Sequence, residues 1–155
     1  MSDDQIKDIL KNSKTIAMVG VSSLKKEEDL KNIRRRPSTI VMKYMQEFGY
    51  KVIPVNPFAV GEKIHGETVI DNLENIKIPI DIVNIFRPSK ETPILANQAV
   101  KIKTKVLWLQ YGIQNEEAKK IATKANISYV ENRCIKQEYQ KIFQKMSPVF
   151  PALKL

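Results

Sequence analysis

Apolar positions along the chain follow two patterns, short continuous runs and longer stretches with a helical period. Ile16-Ala17-Met18-Val19 is a run of the first kind, too short for a helix and without apolar/polar alternation. It predicts a strand covered on both faces, as in a parallel sheet flanked by helices. The run stops at Gly20-Val21-Ser22-Ser23, where small residues let the backbone turn closely and offer N–H and O–H donors. A buried strand ending in a Gly/Ser turn before a helix is how many α/β folds receive a phosphate. An ordinary strand and loop fit these residues equally well.

The remaining elements alternate around that run. Ile6, Ile9 and Leu10 form one face of a predicted helix from Asp3 to Asn12, with Asp3 and Asp4 where the helix dipole favours acids. Ser22 to Arg36 has no apolar face and predicts a mobile loop or a ragged helical turn. Pro37-Ser38-Thr39 opens a helix whose face is Ile40, Val41, Tyr44, Met45 and Phe48, and Gly49 stops it. Tyr50 to Val55 is the second predicted strand, ending at Asn56-Pro57, and Phe58 to Asn72 reads as irregular. A short helical turn is expected at Asn72 to Ile76, and Ile80 to Phe86 is the third strand, closing at Arg87-Pro88-Ser89. A helix follows from Pro88 or Ser89 to Ile102, then a fourth strand from Lys105 to Gln110 that Tyr111-Gly112 ends. Ala118, Ile121, Ala122 and Ala125 mark a further helix, Ser128 to Val130 a fifth strand, and Ile135 to Lys145 a last helix.

Strict alternation predicts an α/β, Rossmann-like three-layer fold, a five-stranded parallel sheet with helices on both faces. Numbered along the chain, the strands are expected in the order 3-2-1-4-5, with a crevice where strands 1 and 4 point their carboxyl ends apart. Residues 1–145 read as one domain and 146–155 as a tail. Trp108, inside the fourth strand, is expected in the core, and Asp81 is expected to hydrogen-bond at the far end of the sheet.

Composition narrows the function classes. One cysteine, Cys134, excludes an internal disulfide framework, and one histidine, His65, argues against a histidine-built metal site. No apolar run approaches the roughly 20 residues of a membrane span, and the start Met1-Ser2-Asp3-Asp4 is acidic, unlike a secretion signal. A cytoplasmic protein without membrane partners is expected. The net charge of +9 fits nucleic-acid binding, attraction of a small polyanion, or a lysine-rich surface with no specific partner. The segment Lys25 to Arg36 holds six basic and three acidic residues, a local +3 directly after the Gly/Ser turn. No aromatic is interleaved with it between Ser22 and Ile40, which ranks nucleic acid last.

Four strand ends are expected to meet: Gly20 to Ser23, Val55-Asn56-Pro57, Phe86-Arg87-Pro88-Ser89 and Gln110-Tyr111-Gly112. They bring backbone amides, hydroxyls, carboxamides and an arginine, with no acid–base pair and no Ser/His/Asp set, so the site is one for holding a ligand. The dinucleotide fingerprint fails here. Gly20-Val21-Ser22-Ser23 lacks the second and third glycines, and Asn56-Pro57 stands where an NAD site carries an acid for the ribose.

Several stretches in order carry a family resemblance: Ile16 to Ser22, Arg36-Pro37-Ser38, Gly49 to Pro57, Ile64-His65-Gly66, Asp81 to Arg87, Trp108 to Ile113, Arg133-Cys134 and Glu138-Tyr139. On these the chain resembles the small stand-alone CoA-binding proteins, whose fold is similar to the N-terminal domain of succinyl-CoA synthetase alpha subunits. The resemblance implies coenzyme A as ligand. Gly20, Val21, Ser22 and Ser23 would cradle the pyrophosphate, and Arg36 and Ser38 would add a charge and a hydroxyl. Val55, Asn56 and Pro57 would shape the adenosine side, Lys63 would reach the 3′-phosphate, and Phe86, Arg87, Gln110 and Gly112 would line the crevice. Cys134 is either a small core residue or a thiol near that of the coenzyme, and Glu138 either caps a loop or orients Cys134. His65 is not given the phosphohistidine role of the synthetases. The expected function is binding of coenzyme A or an acyl-CoA without catalysis. The alternatives are a ligase component acting with a separate partner chain, or binding of an NAD-type nucleotide or nucleic acid. A homodimer is an open expectation, resting only on how common such dimers are.

Overall fold

The computed structural model of the chain describes residues 1–23 and 37–144. The basic segment from Lys25 to Arg36 and the tail at 146–155 lie outside the described residues. Five parallel strands form the central sheet: β1 (Thr15–Val19), β2 (Lys51–Val55), β3 (Ile82–Ile85), β4 (Val106–Leu109) and β5 (Ser128–Val130). The helices are α1 (Asp3–Asn12), α2 (Pro37–Glu47), α3 (Thr92–Lys101), α4 (Glu116–Lys124) and α5 (Ile135–Tyr139). On one face Ile16, Met18, Val52, Ile82, Val106 and Trp108 pack with Ile6 and Leu10 of α1, Val41, Met42 and Met45 of α2, and Ile135 of α5. On the other, Ala17, Val19, Ile53, Val83, Ile85, Leu107 and Leu109 pack with Ala96 and Ala99 of α3 and Ala118 and Ala122 of α4. The three layers are those expected, and Trp108 is fully buried.

Local chemistry explains several boundaries. Ser2 and Gln5 form a reciprocal capping box that starts α1. Asn115 caps α4 by accepting from the Ala118 amide at 2.9 Å. The helix expected from Pro88 or Ser89 to Ile102 is divided: a 3-10 turn, Ser89–Glu91, precedes α3, and the Thr92 hydroxyl donates to the Ser89 carbonyl at 2.6 Å. The last helix likewise passes from α5 into a π turn, Gln140–Gln144. The stretch after Phe58 is not wholly irregular. Lys63–Ile64 and Glu67–Thr68 form an antiparallel hairpin, and both turn residues have positive φ, His65 at 47° and Gly66 at 85°. His65 Nε2 stands 3.1 Å from the Thr39 carbonyl oxygen, which ties the hairpin to α2.

The strand order corrects the expectation. It is β2-β1-β3-β4-β5, so the third strand lies beside the first and the second is at the edge. Pro54 supplies a physical reason. Its carbonyl faces the outer side of β2, accepting from the Ile70 amide at 3.0 Å, and that side of Pro54 has no N–H to give a neighbouring strand. Among the described residues Ile70 makes a single backbone bridge to that edge, at Val55. The chain therefore returns to the free side of β1. It crosses by way of Leu73, Ile76 and Ile80 on the face opposite α2, which keeps both crossovers of one hand. The crevice moves with the order. Connections leave β1 and β3 toward opposite faces, so the carboxyl ends part between β1 and β3, not between strands 1 and 4.

At the opposite end of the sheet Asp81 closes the amino ends of β1 and β3. Its Oδ2 accepts from the Lys14 amide at 2.8 Å and the Thr15 amide at 3.2 Å, and Lys105 Nζ lies 3.5 Å from Oδ1. Burial pushes this carboxyl up, but the two amides and Lys105 prevail and hold it below its ordinary value. A depressed folded value adds stability that is complete above the unfolded pKa of about 3.9 and is lost as pH falls through the folded one. Asp81→Asn is expected to cost about 2 kcal/mol at pH 7 in urea unfolding, with the deficit narrowing as the pH is lowered.

Candidate functional site

The site begins where β1 runs out of partners. The Gly20 amide still donates to the Val55 carbonyl at 2.8 Å, and the Phe86 amide reaches the Val19 carbonyl at 2.9 Å. The backbone then turns at Gly20 with φ of +97°, a conformation costly for residues with a side chain. Asn56 braces this turn. Its Nδ2 donates to the Val21 carbonyl at 2.8 Å, and its Oδ1 accepts from the Phe58 amide at 2.8 Å. Both ends of the carboxamide are thus spent on tying the loop after β2 to the loop after β1. The Ser22 amide donates to Ser38 Oγ at 3.1 Å, which sets the turn against the first residues of α2. A helix start presents unpaired amides and a positive dipole end. Ser23 is buried, and its hydroxyl donates to Glu62 Oε2 at 2.6 Å.

Arg87 lies over the glycine. A Cβ at Gly20 would stand 3.0 Å from Arg87 Cδ, so the missing side chain is what admits the arginine. The guanidinium is held by Glu91 through two bonds, Nε to Oε1 at 3.0 Å and a terminal nitrogen to Oε2 at 2.9 Å. These bonds raise Arg87 above its ordinary value and hold Glu91 below its own. The pair stays ionised and mutually neutral at any ordinary pH.

Gly20, Val55, Asn56, Pro57 and Arg87 meet around a cleft of about 280 Å³ between the ends of β1 and β2 and helix α3. Val19, Phe58, Asp71, Asn72, Glu91, Leu95 and Gln98 complete its lining. Glu91 had a readable signal, since an acid four residues beyond an arginine is a helical ion-pair spacing. Phe58 follows the Asn56-Pro57 turn directly. Asp71, Leu95 and Gln98 reach the cleft only through the tertiary fold.

The other expected residues are dispersed. Gln110 is buried, and its Oε1 accepts from Asn84 Nδ2 at 3.2 Å and the Ile135 amide at 3.3 Å, so its carboxamide oxygen is turned inward. The Gly112 amide donates to Asn132 Oδ1 at 2.7 Å. Phe86 and Cys134 are partly buried against the same core, on the face of α1, α2 and α5. Cys134 occupies the capping position of α5 without a side-chain cap bond, and Glu138 pairs with Arg133 at 3.2 Å. Lys63 is exposed on the hairpin and does not line the cleft. Arg36 is outside the described residues. Among the described residues no group of three or more His, Cys, Asp or Glu could hold a metal ion, and no helix is long and apolar enough to cross a membrane.

Known proteins share this sequence and this shape. The family model described as CoA binding domain matches residues 14–140. The uncharacterized protein YneT of Bacillus subtilis (strain 168) is 38% identical over 135 residues, covering 87% of this chain and 92% of its own. A hypothetical protein from Pyrococcus horikoshii OT3 superposes with a TM-score of 0.79 at 37% identity, over 92% of either chain. The apo form of a dinucleotide-forming acetyl-coenzyme A synthetase from Ca. Korarchaeum cryptofilum shares the fold at a TM-score of 0.63 and 19% identity. That match covers 81% of this chain and 27% of the synthetase.

Gly20→Ala tests the geometry of the turn. Left-handed strain and the contact with Arg87 together are expected to cost about 2 kcal/mol in chemical denaturation. A change below about 0.5 kcal/mol would show that neither restrains the turn.

Proposed function

The chain belongs to the CoA binding domain family, and we propose that it binds coenzyme A or an acyl-CoA at the carboxyl ends of β1, β2 and β3 without catalysing a reaction on it. The observation that carries this reading is the Gly20–Ser23 turn bonded to the start of α2 beside an open cleft. A pyrophosphate would take its donors from Gly20 to Ser23, with Ser38 on the other side. Arg36 remains the residue proposed to add a charge. The cleft, bounded by Val55, Asn56 and Pro57, falls just short of the ~300–1,000 Å³ of sites that enclose a drug-sized ligand. It suits one end of a long molecule, the nucleoside, while the pantetheine arm runs across the strand ends past Phe86 and Gly112 toward Cys134. Lys63 remains the residue proposed for the 3′-phosphate. The second reading, a ligase component that needs a partner chain, draws support only from the synthetase neighbour with the same fold.

Thermal unfolding of ligand-free protein tests the proposal. Coenzyme A at 100 times its dissociation constant is expected to stabilise the fold by about 2.7 kcal/mol, whereas NAD at the same concentration leaves the melt unmoved. A shift with NAD and none with coenzyme A would reverse the assignment. Arg36→Ala is expected to weaken binding while leaving the melting temperature of the free protein unchanged.

The Cys134 thiol adds a covalent readout. Attack of its thiolate on coenzyme A disulfide forms a mixed disulfide and expels one coenzyme A thiolate. Intact-mass measurement after that incubation is expected to show one adduct, absent in Cys134→Ser. No adduct on the parent chain would remove Cys134 from the path of the pantetheine arm.

A further inference from the structure

Two groups at the cleft, Phe58 and Asp71, are of complementary kinds. Phe58 is 77% exposed and belongs to neither apolar cluster of the described residues. Its position is nonetheless fixed, because its amide is bonded to Asn56, which is itself bonded to the β1 turn. A phenyl ring on a braced turn, lining a cleft and 77% exposed, is a ready platform for a flat ring. Asp71 is the second group. Its Oδ1 takes Asn75 Nδ2 at 2.7 Å and the Asn72 amide at 2.9 Å, and these bonds, the Asn75 one foremost, keep the carboxyl below its ordinary value. Among the described residues no other residue donates to Oδ2. Of the neighbouring polar groups, Asn56 is engaged in the brace, Arg87 with Glu91, and Asn72 Oδ1 with the Glu74 amide, while the Gln98 carboxamide also lines the cleft.

The formal charges lining the cleft are Asp71, Glu91 and Arg87, one more negative than positive, so a phosphate has no reason to enter. What fits is an uncharged aromatic ring that carries a hydrogen-bond donor on its edge. We infer that Phe58 and Asp71 select the base of the bound nucleotide. Phe58 stacks on its face and Asp71 Oδ2 accepts from an exocyclic amine, so that adenine is taken and hypoxanthine is disfavoured. This rests on the coenzyme A reading above and adds the residues that read the base. Hypoxanthine presents a carbonyl where adenine has its amine, which sets two acceptors against each other and leaves the carboxylate unpaired.

Calorimetric titration with coenzyme A, adenosine 3′,5′-bisphosphate and inosine 3′,5′-bisphosphate tests this on the parent chain, Phe58→Ala, Phe58→Tyr and Asp71→Asn. Neither side chain is in the core, so the variants should fold, and their unliganded melts check that. The parent is expected to prefer the adenosine over the inosine bisphosphate by about ten-fold or more. Phe58→Ala is expected to weaken coenzyme A and the adenosine bisphosphate by about ten-fold, and Phe58→Tyr to restore both. Asp71→Asn is expected to bring the two bisphosphates close to parity. If the parent binds coenzyme A and Phe58→Ala and Asp71→Asn both match it in affinity and base preference, the inference is overturned and the coenzyme A reading stands. If the parent binds neither coenzyme A nor the adenosine bisphosphate, the coenzyme A reading fails and takes the inference with it.

Discussion

The structure depends on the confinement of β1. It pairs in parallel with β2 on one side and β3 on the other, and Ile16, Ala17 and Met18 are fully buried. Every backbone donor and acceptor along it must be spent in the two ladders, because an unpaired buried one costs as much as a lost hydrogen bond. The ladders end together at Val19 and Gly20, so the chain turns there and nowhere earlier. Everything at the site is referenced to that turn. Asn56 brings the loop after β2 to Val21, Ser38 brings the start of α2 to Ser22, and Arg87 brings the loop after β3 onto Gly20. Three connections from different parts of the chain are thereby held near one buried strand end.

Charge is distributed unevenly around this point. The chain carries a net +9, yet the cleft itself holds one neutralised ion pair and a spare carboxylate. Positive charge spread over a surface raises the encounter rate with a polyanion without specifying how it docks. On the proposed reading, recognition inside the cleft falls to shape, stacking and single hydrogen bonds. A ligand with a highly charged middle and an uncharged aromatic end suits such a division. On the same reading, the charged part would be left to the turn and the helix start.

Polar residues in the core serve the same rigidity. Asn84 is fully buried in the central strand β3, and its amide reaches the Trp108 carbonyl and Gln110 Oε1. Gln110 also accepts from Ile135, so two side chains join β3, β4 and the start of α5. Trp108 adds a bond from its indole to the Arg133 carbonyl at 2.8 Å. Cys134 sits between these two anchored residues, partly buried at the start of α5. Burying a polar group costs free energy unless it is paired. Asn84 Oδ1 has no partner among the described residues, whereas its Nδ2 and the Gln110 Oε1 are bonded, and those bonds help hold the loop that carries the thiol.

The alternation of strands and helices, the positions of all five parallel strands, and the Gly20, Val55, Asn56, Pro57 and Arg87 part of the cleft were legible in the sequence. Each depends on the pattern within one short segment: an apolar run, a helical period, a residue that must end a strand. The order of the strands is not local in that sense. Pro54 carried the mark of an edge strand, since it cannot donate, but the mark gains meaning only once the outer side of β2 is identified. Gln110 shows the converse, for its place at a strand end was readable whereas the inward turn of its carboxamide depended on Asn84 and Ile135. Phe58, Asp71, Leu95 and Gln98 were brought together by the return of the chain across β1 to the position of β3. Periodicity belongs to a segment, so the sequence alone determined which segments would be buried and where each would turn. Which turns face each other depends on edge chemistry and crossover hand, and only the tertiary structure decided that.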